Sequence, residues 1–90
     1  MAPVESKDAS EALIDFKLSR RMLSQARVIA KGKRIRNVQR LVAQYGGRAS
    51  KWVKKSSAQF EVGREYFEYH WYEHPGLGKF EMKRIQVKPQ

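Results

Sequence analysis

The chain has 90 residues, 41% of them hydrophobic, a size that supports one small domain with a modest core. Its 19 lysines and arginines outnumber 9 acidic residues, and the net charge of +10 favours a polyanionic partner, nucleic acid first and an anionic membrane second. The absence of cysteine excludes disulfides and thiolate zinc sites, and no apolar run approaches the ~20 residues of a membrane-spanning helix.

The chain begins with a polar, proline-bearing segment, residues 1–8, which lacks the apolar run of a signal peptide and which we expect to be a disordered lead-in. The remainder, residues 9–90, is expected to form a single domain. Asp8 and Glu11 resemble a capping pair, and the apolar residues that follow recur at helical spacing, which predicts a first helix over about 9–30. That apolar stripe consists of Ile14, Leu18, Met22, Ala26 and Ile29.

A second amphipathic helix is predicted over about 33–45, where apolar side chains again recur at helical spacing. Gly46 and Gly47 follow it, and glycine readily adopts the left-handed conformation that ends a helix. The polar face of this helix carries Arg34, Arg36 and Arg40, and Arg36 and Arg40 are candidates for contacts with a polyanionic substrate.

Beyond the two glycines the period changes, and short segments rich in β-branched and aromatic residues alternate with turn residues. We expect strands near 50–56, 58–62, 65–74 and 79–87, in a sheet that spans about 50–87. The predicted fold is therefore α+β, with two N-terminal helices packed on one face of a twisted antiparallel sheet of about four strands.

Two turns, at 63–64 and at 75–78, set the register of this sheet. The pairs that they predict are Phe60 with Phe67, His70 with Lys83, Trp71 with Met82 and Glu73 with Phe80. Strand alternation then predicts a buried face under the helices, made of Phe60, Phe67, Tyr69, Trp71, Phe80 and Met82. The opposite face is left open for a ligand and holds Gln59, Glu61, Tyr66, Glu68, His70, Tyr72, Glu81, Lys83 and Ile85.

The open face has the inventory for RNA cleavage without a metal, which needs a base for the ribose 2′-hydroxyl, an acid for the leaving 5′-oxygen and cations beside the phosphate. His70 is the best candidate for base or acid, because imidazole titrates near neutrality and a mid-strand position fixes its geometry. Lys83 lies across the strand pair, and Tyr72 and Glu68 lie two positions away along the strand. The alternative is an ordinary surface histidine.

A second group of donors precedes Phe60. Lys54 and Lys55 are successive strand residues, so only one can reach the side of His70, and the sequence leaves open which. Ser56 could donate a hydrogen bond to a phosphate oxygen, and Arg48 could approach from the preceding loop. The alternative here is a solvated edge strand that lysines protect against aggregation.

Other chemistries fit less well. Glu68 and Glu81 could form a glycosidase carboxylate pair, but their basic surroundings argue against it. A metal site of His70, His74 and Glu73 is disfavoured because Glu73 falls on the opposite face. We therefore expect neither a metal nor a cofactor.

The C-terminal half of the chain resembles the toxin domains of bacterial polymorphic toxins, including those of contact-dependent inhibition and Rhs-type effectors, through WVKKSS, HWYE and GKFEMK at 52–57, 70–73 and 78–83. The order of helices and sheet also resembles the barnase, EndoU, colicin and RelE-like ribonuclease superfamily. The resemblance implies a metal-independent endoribonuclease, often specific for tRNA, that acts in the bacterial cytoplasm and is neutralised by an acidic immunity protein. By position it assigns to the active site His70, Lys54, Lys55 and Ser56, flanked by Tyr72 and Lys83.

The resemblance also implies that the chain is either a free-standing toxin or a domain excised from a larger delivered effector. Two functions without catalysis are the alternatives. One is a non-catalytic module that binds RNA or DNA, and the other is a basic interaction protein with an acidic partner.

Overall fold

A computed structural model describes residues 20–88, and its main element is a five-stranded antiparallel sheet. The strands are β1 (Arg27–Lys31), β2 (Val53–Ser56), β3 (Phe60–Val62), β4 (Glu65–His74) and β5 (Gly78–Val87). The helical elements are a short turn of helix, α1 (Arg20–Ser24), an eight-residue helix, α2 (Val38–Tyr45), and 3-10 turns at Gly32–Arg34 and Ala49–Lys51.

β4 is the central strand of the sheet. β2 pairs with its residues 70–73 and β3 with its residues 65–67, while β5 pairs along almost its whole length. Because β5 shares β4 residues with both of the other strands, β2 and β3 must follow one another along the opposite edge of β4. β1 pairs with the remaining edge of β2.

Ser57 carries the hydrogen-bond ladder across the gap between β2 and β3. Its backbone N–H donates to the carbonyl of Tyr69 at 2.8 Å, and its hydroxyl accepts the N–H of Tyr69 at 2.9 Å. Ser57 is fully buried, so water cannot accept a hydrogen bond from the Tyr69 N–H. The Ser57 hydroxyl accepts it in place of a backbone carbonyl.

The two sides of β4 carry two separate apolar clusters. One side, which we call the Trp71 face, presents Phe67, Tyr69 and Trp71. Two residues from α1, Met22 and Leu23, pack on this face. The short helical turn therefore covers the aromatic side of the central strand.

The other side of β4 carries Glu68, His70 and Tyr72, and we call it the His70 face. α2 covers only its Tyr72 end, where a cluster of buried residues forms beneath the helix. The buried members of that cluster are Ile35, Val38, Leu41 and Trp52, with Tyr72 and Phe80 packed against them.

The predicted arrangement of two N-terminal helices on one face is wrong. α1 and α2 cover opposite faces, and residues 27–31 form a fifth strand instead of continuing the first helix to residue 30. The adjacent β-branched residues Val28 and Ile29 favour that extended conformation. The second helix begins at Val38 instead of 33. The predicted lead-in and the first half of the first helix lie outside the described residues.

The predicted register is confirmed on one side of a β-bulge and wrong on the other. Phe60 pairs with Phe67, and His70 pairs with Lys83, as expected. Past that point one extra residue in β5 shifts the pairing, so that Tyr72, not Glu73, lies opposite Phe80. The shift moves Phe80 from the Trp71 face, where the alternation predicts it, to the His70 face.

Within residues 20–88, no helix has both the length and the apolar character needed to cross a membrane.

Candidate active site

Glu68 is the centre of a hydrogen-bonded cluster on the His70 face. Its Oε1 lies 2.9 Å from Nε2 of His70 and accepts a hydrogen bond of 3.1 Å from the Ser56 hydroxyl. Arg27 approaches its Oε2 at 3.5 Å. The strand register produces this meeting, because Ser56 of β2 pairs with Arg27 on one side and with His70 on the other. We call these four residues the Glu68 cluster.

The charge state of Glu68 follows from these contacts. The hydrogen bond with His70 is the largest cause that holds the pKa of Glu68 below its usual range; partial burial opposes it, and the Ser56 hydroxyl and Arg27 add to the lowering. The carboxylate is therefore ionised at neutral pH and can only accept, so Nε2 of His70 is the donor. Within residues 20–88, no hydrogen bond to Nδ1 of His70 is found.

The members of the cluster differ in their access to solvent. The side chain of His70 is 21% exposed and that of Glu68 14%, whereas Ser56 is completely buried. A ligand on the His70 face can thus reach the imidazole. Ser56 instead holds Glu68 from beneath, and the structure places its hydroxyl out of reach of a phosphate.

The register also decides which of the two lysines shares this face. Lys54 pairs with Tyr72, and its Nζ lies 5.7 Å from the centroid of that ring, so it belongs to the His70 face. Lys55 pairs with Trp71 and bonds Glu73 at 3.2 Å on the opposite face. Lys54 is the lysine that can join His70.

The remaining predicted residues fall into two groups. Lys83 is exposed and pairs directly with His70, so the structure brings it to the Glu68 cluster. Tyr72 is half-buried and packs against the apolar cluster beneath α2, which contains Leu41 and Trp52. Arg36 and Arg48 are exposed beside the two 3-10 turns, away from the strand positions of the cluster.

Arg40 lies on α2 and is already paired. Its guanidinium forms two hydrogen bonds of 2.8 Å with Glu81, and the Tyr45 hydroxyl donates a third of 2.7 Å. The hydrogen bond from Arg40 is the main cause that lowers the pKa of Glu81 to about 2. This ion pair borders the site, because Lys83 is also near enough to stabilise the Glu81 carboxylate.

Sequence reasoning missed Arg27, because the predicted helix over 9–30 gave that residue no relation to the sheet. The signal that could have found it is local. Val28 and Ile29 are adjacent β-branched residues, and Gly32 follows them, a pattern typical of a short strand and turn.

The described residues, 20–88, contain no group of three or more His, Asp or Glu side chains arranged to hold a metal ion. No protein-family model, no characterised protein and no solved structure matches the chain.

Proposed function

We propose that the protein is a metal-independent endoribonuclease toxin that cleaves RNA, with tRNA the expected substrate, through attack by the ribose 2′-hydroxyl. The observation that carries this proposal is the His70 imidazole, which is held by the ionised Glu68 and remains partly exposed on the face of a strongly cationic chain. An imidazole that can accept and return a proton near neutral pH is the usual general base for such a step.

In this mechanism His70 acts through Nδ1, the nitrogen that Glu68 does not occupy. Nδ1 takes the proton of the 2′-hydroxyl while the 2′-oxygen attacks phosphorus, and Glu68 stabilises the imidazolium that forms. The bond from phosphorus to the 5′-oxygen breaks, and that oxygen takes a proton from Lys83 or from water. The products are a 2′,3′-cyclic phosphate and a 5′-hydroxyl.

Two lysines supply positive charge for the phosphorane. Lys83 lies opposite His70 on β5, and Lys54 lies on β2 next to Tyr72, so the two flank β4 on the same face. Cations fixed beside the position where negative charge develops lower the barrier because they need no reorganisation during the reaction.

The charge of the chain also supports an acidic immunity protein as the natural inhibitor. Such a partner would place carboxylates where the substrate phosphates lie and would occlude the His70 face, and attraction by the +10 chain would accelerate its association. The proposed site of action is the bacterial cytoplasm, reached by the chain alone or as part of a larger effector.

The proposal is tested by incubating the purified chain with total tRNA in EDTA. We expect cleavage that survives chelation and fragments that end in a 2′,3′-cyclic phosphate, identified by mass spectrometry. His70→Ala should lower the cleavage rate by a factor on the order of 10²–10⁴ while RNA affinity is retained. Strict dependence on added Mg²⁺, or full activity of the variant, would reject the mechanism.

A second function, a non-catalytic nucleic-acid-binding module, is favoured by one further observation. Residues 16–60 contain thirteen lysines and arginines and no aspartate or glutamate. Such a segment attracts phosphates whether or not chemistry follows. Tight binding of tRNA that is never cleaved, by a chain whose unfolding is cooperative, would favour this function over the ribonuclease.

A further inference from the structure

Six exposed cations surround the two 3-10 turns at one end of the sheet. We call this surface the turn patch, and its members are Lys31, Lys33, Arg34, Arg36, Arg48 and Lys51. The two turns meet through their backbones, since the N–H of Gly32 donates to the carbonyl of Trp52 at 2.9 Å. A Cβ at Gly32 would lie 3.6 Å from Cα of Ser50, which shows how closely the turns approach.

The turns rest on a fixed base. Gly32 has φ +58°, and Ile35 and Trp52 beneath the turns are 2% and 0% exposed. The backbone positions of the cations are therefore set by the core, although their side chains extend into solvent. The backbone of the patch is therefore already ordered before a partner binds. Only the side chains of the cations lose conformational freedom on binding.

The positive charge of the turn patch is uncompensated within residues 20–88. Three of the five described carboxylates, those of Glu68, Glu73 and Glu81, pair with cations outside the patch. The other two, Glu61 and Glu65, lie on the β3–β4 hairpin. The ion pairs found among residues 20–88 include no member of the patch.

The chemistry of the surface selects the kind of partner. The apolar residue of the first turn region, Ile35, is buried, and the exposed neighbours Asn37 and Ser50 are polar. Protein interfaces are built around an apolar or aromatic centre, whereas nucleic-acid interfaces are polar and strongly positive. The turn patch lacks an apolar or aromatic centre and is strongly positive. Its surface chemistry therefore matches that of a nucleic-acid interface.

We propose that the turn patch binds the phosphate backbone of a nucleic acid, as a contact region separate from the Glu68 cluster. β2 runs from the patch to Ser56, and its length from Val53 is about 10 Å at ~3.3 Å per residue. A single strand that reaches both regions must therefore extend beyond the cleaved bond. The role in substrate binding rests on the proposed ribonuclease function, whereas the binding of phosphates does not.

The test compares two charge-matched pairs of substitutions. Lys33→Gln with Arg34→Gln removes two charges from the patch, and Arg64→Gln with Lys88→Gln removes two from the opposite end of the sheet, where Arg64 lies in the β3–β4 turn and Lys88 follows β5. The probe is a fluorescent single-stranded DNA oligonucleotide, which lacks the 2′-hydroxyl and cannot be cleaved by the proposed chemistry. Its binding is followed by anisotropy over a range of salt concentrations.

We expect the patch pair to reduce the slope of log K against log salt by about 1.4, at about 0.7 for each phosphate contact. The same relation gives a loss of affinity of roughly 25-fold at 0.1 M salt relative to a 1 M reference. The control pair should bind much closer to wild type. The charge-retaining pair Lys33→Arg with Arg34→Lys should bind like wild type, which separates loss of charge from loss of fold.

Three results would overturn the proposal. An equal loss in both pairs would show that only net charge matters, and no loss in the patch pair would show that the surface is not used. Binding of a fluorescent poly-glutamate peptide is measured in the same way, and loss of that binding by the patch pair with DNA binding retained would assign the patch to an acidic protein instead. If wild type cleaves no RNA, the ribonuclease function fails while the DNA measurements still decide the turn patch. If it does cleave, the patch pair should raise KM for tRNA and leave cleavage of a dinucleotide unchanged.

Discussion

Arg40 and Glu81 join α2 to the bulge of β5 through two hydrogen bonds of 2.8 Å. Glu81 has φ +58°, a left-handed conformation that is uncommon outside glycine, and the bulge there turns its side chain toward the helix. Tyr45 of the same helix adds its hydroxyl to the carboxylate. The strand that carries Lys83 is thus tied to α2 two residues before that lysine.

This pair predicts a defined dependence of stability on pH. The hydrogen bond from Arg40 lowers the pKa of Glu81 from 4.5 to about 2, so the ionised carboxylate contributes stability that is complete above pH 4.5 and is lost as the pH falls toward 2. Glu81→Gln should lower the free energy of unfolding at pH 7 by on the order of 1–2 kcal/mol, after allowance for solvent screening. Denaturant titrations across this pH range measure the difference.

The control for that experiment is Glu65→Gln, since Glu65 is an exposed carboxylate near the β3–β4 turn. It should change stability little at any pH. The difference between wild type and Glu81→Gln should shrink between pH 4.5 and pH 2, the range bounded by the two pKa values. A difference that stays constant down to pH 2 would show that the ionised carboxylate is not its source.

A second prediction concerns Gly47, which has φ +78° and lies directly against the His74 ring. A Cβ at this position would collide with Nε2 of His74. Gly63 is a matched control, with φ +65° and, apart from its chain neighbours, no atom of residues 20–88 within 4 Å of the place that a Cβ would occupy. Both alanine variants carry a left-handed strain of about 1–2 kcal/mol, and Gly47→Ala should cost roughly 1–3 kcal/mol more because of overpacking.

The collision can be isolated by a double-mutant cycle. Combining Gly47→Ala with His74→Ala should remove most of the cost that exceeds that of Gly63→Ala, because the ring is gone while Cδ1 of Leu77 stays 3.2 Å from the added Cβ. Free energies of unfolding from denaturant titrations give each corner of the cycle. Equal costs for Gly47→Ala in the presence and absence of the ring would contradict the packing argument.

The β3–β4 and β4–β5 hairpins were predictable because their signals are local. Alternating aromatic and polar residues over 65–74, with turn residues at either end, specify both hairpins and the register of the β3–β4 pair. They do not specify the one-residue offset next to the β4–β5 turn, where Tyr72 lies opposite Phe80. The bulge at Glu81 was not predictable, since no glycine marks it. The first helix failed for a different reason: Met22, Ala26 and Ile29 fit a helical period, but pairing with the free edge of β2 took residues 27–31 into the sheet.

Some residues of the candidate site were likewise predictable from the sequence, and others were not. The pairing of His70 with Lys83 was predicted from an expected four-residue loop at 75–78. In the structure the turn is one residue shorter, 75–77, and the extra residue in the β5 bulge restores this pairing. The meeting of Arg27, Ser56 and Glu68 requires the order of three strands, β1, β2 and β4, that are distant along the chain. No local sequence pattern encodes that strand order. The sequence therefore identified Glu68 only as a residue two positions from His70 along the same strand.

A third prediction separates the two buried serines. Ser57→Ala removes the acceptor for the buried N–H of Tyr69 and should lower stability by about 1–3 kcal/mol, with faster hydrogen exchange at that amide. Ser56→Ala removes the hydrogen bonds of that hydroxyl to Glu68 and to the Ser57 carbonyl, but the carbonyl keeps a donor in the Arg27 guanidinium at 3.3 Å. It should affect cleavage more than stability. Protection of the Tyr69 amide that is unchanged in Ser57→Ala would contradict the role of the hydroxyl in the ladder.

A fourth prediction uses neighbouring lysines of equal charge. Lys54→Ala should slow RNA cleavage by at least about tenfold, because Lys54 shares the His70 face and the proposed reaction develops negative charge there. Lys55→Ala should leave the rate near that of wild type and cost at most about 1 kcal/mol of stability through its bond to Glu73. Equal losses of cleavage rate for Lys54→Ala and Lys55→Ala in single-turnover assays would contradict this prediction. They would mean that the net charge of the chain, and not the face on which the lysine lies, determines the rate.

The last prediction concerns Glu68 as a positioning residue for His70. Glu68→Gln keeps the size of the side chain but removes the charge that stabilises the imidazolium, so kcat should fall by a factor on the order of 10²–10⁴ while KM changes little. Glu73→Gln is the control, because Glu73 is also in an ion pair, with Lys55 on the Trp71 face. It should retain wild-type kcat.

A readout independent of activity comes from the imidazole itself. In the ¹H–¹⁵N spectrum of wild type, the neutral His70 ring should carry its hydrogen on Nε2, since the ionised Glu68 accepts there. In Glu68→Gln this preference should weaken, because an amide can face the ring with either its oxygen or its nitrogen. A wild-type ring with the hydrogen on Nδ1 would leave that nitrogen unable to take the 2′-hydroxyl proton, and the assignment of His70 as the base would fail even if the protein cleaves RNA.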